Sequence, residues 1–263
     1  MSSVLKIFSY LPNPRVWKSM IAAKIGGVDV EVVGDKPNNL GSWLWDFEAR
    51  LLLSEEKTKD SPHLRKGKRG FSGALYKTEE FLNSHPFGTV PAAFSPDGKT
   101  GIFESNSILR SIARSSKHET LYGRNDFEAS RIDSFLDANL VFAREAQVYL
   151  LEVEQLTEEG YNRMASTYEF YMSGIESTLS RNKFIATDCL TIADISFVCD
   201  FSQFLREGHY QEIINKKGFD LISKNLSEDY PMSLKHLLEL SKLEQFSKVM
   251  GSYLNWYKKL TNE

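Results

Sequence analysis

The stretch HPFGTVPAAF, residues 85–94, places a proline inside an apolar run that is otherwise typical of a β-strand. Central strands avoid proline because it cannot donate a hydrogen bond to the ladder. Pro91 therefore has two interpretations. It belongs to a surface turn before an edge strand, or it follows a cis peptide bond that presents the backbone of Val90 to a ligand. The stretch alone favours the surface turn, because only about 5–6% of X–Pro bonds in folded proteins are cis.

The chain before this stretch predicts a parallel pair of strands. Residues 4–9, VLKIFS, form an apolar run of strand length. Residues 13–27 carry apolar side chains at three- and four-residue spacing and end in two glycines, which predicts a helix. Residues 28–33, VDVEVV, alternate with period two. Strand, helix and strand in this order favour a parallel pair.

The chain after it predicts a hairpin and a helix. Residues 92–94 form a short strand, SPDG at 95–98 is a turn signal, and KTGIF at 99–103 predicts the return strand. The next segment, ESNSILRSIARSS, places four apolar side chains on one helical face. These side chains are Ile108, Leu109, Ile112 and Ala113.

From about residue 125 onward the pattern is helical throughout. Long amphipathic helices are predicted over 125–155, 160–180, 191–207 and 232–258. The run TIADI, 191–195, predicts a helix start in which Thr191 caps, Asp194 reaches back and Leu190 packs onto Ile195. The chain thus divides into an α/β domain, 1–117, and an all-helical domain, 125–263.

One segment, about 35–78, fits neither pattern and is predicted to be an inserted helical segment. Trp43, Trp45 and a leucine run at 51–53 predict a helix with an aromatic face. Connections of this length are often binding loops or lids. Core packing, a subunit contact and a pocket wall all remain open for the two tryptophans. The basic residues at 63–69 indicate a solvated loop.

Composition excludes several classes of function. The net charge of −3 argues against nucleic acid as a partner. No run approaches the roughly 18 apolar residues that a membrane span needs, and the N-terminus does not resemble a signal peptide. Cys189 and Cys199 have no metal-ligand spacing, so no metal is expected, and they indicate a reducing, cytoplasmic location.

Four motifs together resemble the glutathione transferase family. LPNPRVWK follows the first strand, FGTVPAAF precedes the hairpin, FESNSILR opens the third helix, and TIADI starts a helix of the second domain. The resemblance implies an α/β N-terminal thioredoxin-like domain plus an all-α C-terminal domain, with glutathione as the cofactor and usually a dimer. The insertion at 35–78 departs from the family pattern.

The resemblance also implies a glutathione-binding set. Val90 offers its backbone N–H and C=O to the cysteinyl part, ahead of a cis Pro91. Glu104 pairs with the γ-glutamyl ammonium. Ser105 and the N–H groups at the start of its helix hold the carboxylate, since helix N-termini favour anions. Asn106 assists them.

The first loop, from Tyr10 to Arg15, has no cysteine, which disfavours mixed-disulfide chemistry. Its PNPR sequence resembles subgroups that place an asparagine near the sulfur, so Asn13 is the predicted catalytic residue and donates to the thiolate. Ser9 and Tyr10 are rival donors. A purely structural role for Asn13, as the cap of the first helix, stays open.

The expected activity is attack of the glutathione thiolate on a hydrophobic aromatic small molecule lying between the two domains. Candidate pocket walls are Trp43 and Trp45 from the insertion and Phe142 and Tyr149 from the first long helix, although the last two also fit a core.

Within the family, the chain resembles bacterial glutathione-dependent β-etherases, which cleave lignin-derived aryl ethers in aromatic compound catabolism. It also resembles the transferase-like domain of the elongation factor 1 gamma chain. The second resemblance supports an alternative, a non-catalytic scaffold acting through protein–protein contact. A homodimer or a heterodimer with a homologue is expected in either case.

Overall fold

The computed structural model describes residues 3–67, 71 and 73–253 of the 263-residue chain, and of Ser252 only the backbone. The chain divides into two compact units, Met1–Lys117 and His118–Glu263. The strands of the first unit are β1 (Leu5–Tyr10), β2 (Val30–Asp35), β3 (Trp43–Trp45), β4 (Arg50–Leu51), β5 (Leu64–Lys66), β6 (Ala74–Lys77), β7 (Ala92–Phe94) and β8 (Gly101–Ile102). Its helices are α1 (Pro14–Gly26), α2 (Glu79–Ser84) and α3 (Ser105–Ser115).

The first sheet has the strand order β2-β1-β7-β8. β1 and β2 are parallel, β7 is antiparallel to β1, and β7 and β8 form a hairpin. The predicted strand–helix–strand unit and the predicted hairpin are both confirmed. α1 ends at Gly27, whose φ of +63° lies in the left-handed region that glycine adopts without steric cost. The predicted apolar face of α3 is buried, which fixes this helix against its neighbours.

The insertion forms a second sheet with the order β4-β3-β6-β5, so the prediction of a helix with an aromatic face is wrong. Trp43 and Trp45 lie on a three-residue strand, where Leu44 pairs in parallel with Tyr76. This partner strand lies at the far end of the insertion, and such non-local pairing decides the local structure. The predicted basic loop is in part strand β5, and its residues 68 and 69 lie outside the described residues.

The second unit is helical in the part that the structure describes. Its helices are α4 (Asp126–Leu151), α5 (Glu158–Leu179), α6 (Ile192–Phe204), α7 (Gln211–Lys216), α8 (Leu226–Asp229), α9 (Pro231–Ser241) and α10 (Glu244–Met250). The first three confirm the helices predicted there. A single helix over 232–258 is wrong, because the extended backbone of Leu243 separates α9 from α10. Residues 254–258 of that prediction lie outside the described residues.

The predicted helix start at TIADI is confirmed at α6. Thr191 accepts from the N–H of Ala193, and the Asp194 carboxylate accepts from the Thr191 N–H at 2.9 Å and the Thr191 hydroxyl at 3.0 Å. Asp194 also accepts from the Ile185 N–H and contacts His236 Nε2, each at 2.9 Å. This closed set of bonds fixes the start of the helix.

Among the described residues, no helix is long and apolar enough to cross a bilayer.

Candidate functional site

The start of α3 is strained at Glu104. Its φ of +65° makes it the only non-glycine residue with positive φ among the described residues. Its ψ of 124° places it outside the left-handed helical region that asparagine and aspartate tolerate. Such a conformation costs about 1–3 kcal/mol, and strained residues cluster at functional sites. The Glu104 side chain is exposed.

Ser105 follows as the first residue of α3 and has unused hydrogen-bonding capacity. Its side chain is 5% exposed. Neither its hydroxyl nor its main-chain N–H bonds to another residue in the part of the chain that the structure describes. The positive end of the helix dipole adds to the attraction for an anion at this point. The start of α3 therefore has the chemistry of a carboxylate-binding position.

Val90 presents a second set of unused polar groups. The Val90–Pro91 bond is cis, as the sequence resemblance implied. Val90 is partly exposed, and its N–H and C=O make no hydrogen bond with any residue that the structure describes. The β7–β8 hairpin pairs Ala93 with Ile102. Continuing this register by two residues brings Pro91 opposite Glu104. Val90 and the start of α3 therefore lie together at the open end of the β7–β8 hairpin, which we call the binding edge.

Lys77, at the end of β6, is a cation close to the same edge. Its Nζ donates to the carbonyl of Gly88 at 2.7 Å and lies 4.5 Å from the centre of the Trp45 ring. No carboxylate pairs with it among the described residues. Burial, with a smaller effect from Arg65, lowers the pKa of Lys77. A partly buried cation without a counter-ion favours an anionic ligand.

Asn13 lies fully buried at the start of α1. Its Oδ1 accepts from the Arg15 N–H at 2.9 Å, and its Nδ2 donates to the Ser9 hydroxyl at 3.0 Å. Asn13 and Ser9 are both 0% exposed, whereas Tyr10 is partly exposed and lies 6.3 Å from the Phe71 ring. The capping role that the sequence left open for Asn13 is present.

Asn106 is also engaged inside the protein. Its Oδ1 accepts from the ammonium of Lys18 at 2.7 Å, and both side chains are buried. Because Lys18 lies on α1 and Asn106 on α3, this bond joins the two helices. Asn106 therefore supports the position of Ser105 from within the unit.

Three of the four candidate pocket walls are core residues, which corrects the sequence prediction. Trp45 is 1% exposed and donates to the Leu40 carbonyl. Phe142 is 0% exposed and stacks on Tyr171 with the ring centres 4.6 Å apart. Tyr149 is buried, and its hydroxyl donates to a carboxylate at 3.1 Å.

The burial of these three side chains depends on partners that only the fold supplies. Trp43 is different, because it is partly exposed and its indole N–H donates to Asp35 across 3.4 Å. Trp43 alone of the four has surface that a ligand can contact.

Sequence reasoning missed Lys18 and Lys77. Each is a single lysine in an ordinary segment, and a lysine is usually solvated. The only sequence signal for Lys77 is its position beside an aromatic residue, shortly before the HPFGTVP stretch. Its significance comes from the lack of an acidic partner among the described residues, which is visible only in the folded unit.

Comparison with known proteins identifies the fold. No family model matches the chain. Elongation factor 1-gamma 2 of Oryza sativa subsp. japonica is 23% identical over 251 residues, which are 91% of this chain and 46% of that protein. Glutathione S-transferase 1 of Zea mays is 29% identical over 140 residues, 49% of this chain and 63% of that protein. The chain thus spans about half of the length of the elongation factor relatives.

Solved structures match over nearly the whole chain. A glutathione transferase from Phanerochaete chrysosporium, crystallised with oxidized glutathione, superposes with a TM-score of 0.65 at 15% identity, covering 100% of this chain and 99% of that one. A glutathione S-transferase from Methylobacillus flagellatus with glutathione bound gives 0.63 at 14% identity, covering 93% and 98%. The chain has the glutathione transferase fold, as its motifs predicted.

Proposed function

We propose that this protein binds glutathione along the edge formed by Val90, Glu104 and Ser105 and activates its thiol. The observation that carries the proposal is the unused hydrogen-bonding capacity there, on Ser105 and on the main chain of Val90. Buried or partly buried polar groups normally have partners, so groups left without one indicate a ligand. Two solved structures with the same fold were crystallised with glutathione and with oxidized glutathione.

The chemistry of the edge fits the γ-glutamyl group, which has an ammonium and a carboxylate on one carbon. The exposed Glu104 carboxylate pairs with the ammonium. The Ser105 hydroxyl and N–H, at the positive end of the α3 dipole, hold the carboxylate. The N–H and C=O of Val90 then form paired main-chain bonds with the cysteinyl residue.

Lys77 supplies the counter-charge for the glycyl carboxylate. Its Nζ is bonded to the carbonyl of Gly88, two residues before Val90, and has no acidic partner within the described residues. Substituting Lys77 with methionine keeps the packing on Trp45 and removes the charge. We expect this variant to bind glutathione about tenfold more weakly or worse, as for loss of a charged hydrogen bond.

The first loop activates the thiol. A hydrogen bond to a thiolate is worth about 1.5–3 kcal/mol, which is roughly one to two pKa units. Tyr10 is a partly exposed donor of this loop, and the Asn13 Nδ2 group has a second N–H besides the one that donates to Ser9. Tyr10→Phe and Asn13→Ala separate the two, because the variant that removes the donor raises the pKa of the bound thiol.

Isothermal titration calorimetry with reduced glutathione tests binding. We expect saturable binding by the native protein and at least about tenfold weaker binding by Ser105→Ala, since a buried partner of a carboxylate is lost. Ser107→Ala, on the same helix, is the matched control and retains the affinity. Equal affinity of both variants would place the ligand elsewhere, and no heat with the native protein would reject the proposal.

The proposed substrate class is an aromatic ether with a β-aryl linkage, such as occurs in lignin-derived compounds. The partly exposed aromatic side chains of Trp43 and Tyr10 support this choice. Attack of the glutathione sulfur on the β-carbon forms a thioether and releases a phenolate. The test is to incubate each stereoisomer of a model ether with the protein and glutathione and to measure the phenol released. If neither stereoisomer releases phenol in a glutathione-dependent way, this substrate class is excluded.

The second candidate function is a non-catalytic scaffold. It is favoured by the elongation factor 1-gamma relatives and by the burial of Asn13 and Ser9 in the first loop. In that case glutathione binds without a fall in its thiol pKa, and standard electrophiles are not conjugated. Binding together with conjugation above the uncatalysed rate would exclude the scaffold.

We also propose that the protein dimerises through Phe87. This side chain is 71% exposed, next to the binding edge, and packs only partly on Phe103, with ring centres 5.4 Å apart. Single exposed apolar side chains are common on monomers, so the dimer itself is the expectation from the family resemblance, and Phe87 is the contact that we propose for it. Light scattering of Phe87→Ser is expected to report a monomer, whereas a monomeric native protein would contradict this part of the proposal.

A further inference from the structure

His85, directly after α2, forms hydrogen bonds with both ends of the loop that carries Val90. Its main-chain carbonyl accepts from the Gly88 N–H at 2.8 Å, near the start of this loop. Its ring Nε2 lies 3.0 Å from the carbonyl oxygen of Ala93, in strand β7 after the loop. The side chain is 1% exposed. One buried residue thus fixes the two ends of the segment 86–92.

The surroundings of the ring determine which of its two nitrogens carries the proton. A carbonyl can only accept, so Nε2 carries the hydrogen and donates it to Ala93. Nδ1 is buried and has no hydrogen-bond partner in the described part of the chain. The ring stacks on Phe81, with centres 5.0 Å apart, and meets the edge of Phe94 at 4.6 Å. A neutral imidazole therefore fills this apolar position.

We propose that His85 is a positioning residue for the glutathione site, which holds the main chain of Val90 in its binding geometry through the Nε2–Ala93 bond. The inference rests on the proposed function, because the ligand of Val90 is the glutathione proposed above. His85 itself does not touch the ligand. It acts by restricting the loop before the ligand arrives, so that less conformational entropy is lost on binding.

The same geometry makes the restraint sensitive to acid. Burial lowers the pKa of His85, and the carbonyls of Ala93, Ile102 and Phe81 oppose this only in part. The charged residues of α2, Glu79 and Glu80, are exposed in its first turn, and β7 and β8 carry none.

The direction of the pH effect follows from this lowered pKa. The unfolded chain binds a proton to His85 below about pH 6.5 while the folded chain still does not. The contribution of the neutral ring is therefore present above that pH and is lost as the pH falls.

Two variants of the full chain test the inference. His85→Phe keeps the aromatic packing and removes the donor, while His85→Asn keeps an N–H donor and removes the titration. Phe103→Leu trims the same cluster, since Phe103 meets His85 at 6.5 Å, and leaves the hydrogen bond intact. Affinity for reduced glutathione is measured by titration calorimetry at pH 7.5, and thermal unfolding is followed from pH 5 to pH 8.

We expect His85→Phe to bind about tenfold more weakly at pH 7.5, in line with one lost hydrogen bond to a pre-organised loop. His85→Asn recovers part of this loss, and Phe103→Leu binds like the native protein. The unfolding temperature of the native protein falls toward pH 5 more steeply than that of either His85 variant, because the unfolded chain binds the proton at a higher pH than the folded chain does. The wild-type ring, followed by nitrogen-detected NMR, shows the Nε2–H tautomer at neutral pH.

Contradictory outcomes separate the two proposals. Native-like affinity in His85→Phe would overturn the positioning role and leave glutathione binding intact. An NMR spectrum with the proton on Nδ1 would overturn it without any variant. Absence of glutathione binding by the native protein would reject the proposed function and with it this inference.

Discussion

Two helix starts in this protein have opposite character. At α6, the Thr191 N–H donates to the Asp194 carboxylate, which also accepts from the Ile185 N–H and contacts His236 Nε2. Both side chains of this capping box are 0% exposed. At α3, the residue before the helix has a φ of +65° and makes no capping bond with its side chain, and the hydroxyl and N–H of Ser105 have no partner among the described residues.

The difference separates folding from binding. A closed start stabilises the chain because each polar group has an internal partner. An open and strained start lowers stability and keeps its N–H and hydroxyl groups for a ligand. Substitutions at α6 should therefore lower stability and leave ligand affinity alone, while substitutions at α3 should weaken ligand binding without lowering stability.

The largest expected effect is that of Asp194→Ala. Removing this buried carboxylate leaves two main-chain N–H groups and His236 without their partner, at a cost of about 3 kcal/mol in the free energy of unfolding. Urea denaturation measures it. Asp194→Asn is the control, because it keeps one acceptor oxygen and should lose less. If Asp194→Ala were less destabilising than Ser105→Ala, the comparison between the two helix starts would be contradicted.

Next in size is Glu104→Gly, which should raise stability. Glycine adopts the observed φ without strain, so we expect a gain of about 1 kcal/mol, together with weaker glutathione binding from loss of the carboxylate. Glu104→Ala is the matched control, since it removes the same carboxylate and retains the strain. If both variants changed the unfolding free energy equally, the strain at α3 would not be real.

A pair of cap substitutions gives a smaller contrast. Thr191→Ala should cost about 1 kcal/mol of stability, as is usual for an N-cap. Ser105→Ala should stay within about 0.5 kcal/mol of the native protein, because its hydroxyl has no internal bond to lose. Thermal unfolding without ligand measures both. A larger loss at Ser105 than at Thr191 would mean that Ser105 has a structural bond.

The smallest expected stability effect comes from the pH dependence of His85. Lowering the pH from 7 to 5 should reduce the unfolding midpoint of the native protein more than that of His85→Phe, because burial lowers the pKa of His85. Differential scanning calorimetry at matched ionic strength compares them. Parallel curves for the two proteins would show that the ring is not held neutral.

Sequence predicted those parts of the fold that depend on local pattern. The parallel pair β1–β2, the β7–β8 hairpin and the cap at Thr191 each arise from residues close together in the chain. The residues of the binding edge were predicted from a motif resemblance, and that resemblance did not reveal the backbone strain at Glu104. A residue with positive φ other than glycine has no reliable sequence signal.

The predictions that failed depend on distant partners. Trp43 and Trp45 lie on a strand because β6 pairs with that strand. Phe142 is a core residue because Tyr171 stacks on its ring. Periodicity can place side chains on one face of an element but does not identify what covers that face. For the same reason Lys77 acquired significance only when its surroundings were known.

The most direct test of the contrast between the two helix starts is a backbone amide NMR titration of the protein with reduced glutathione. The amide resonances of Val90 and Ser105 should shift progressively and saturate, while those of Thr191 and Ile195 at the closed start remain in place. Saturating glutathione that leaves Val90 and Ser105 unchanged, or that shifts the α6 start instead, would contradict the account.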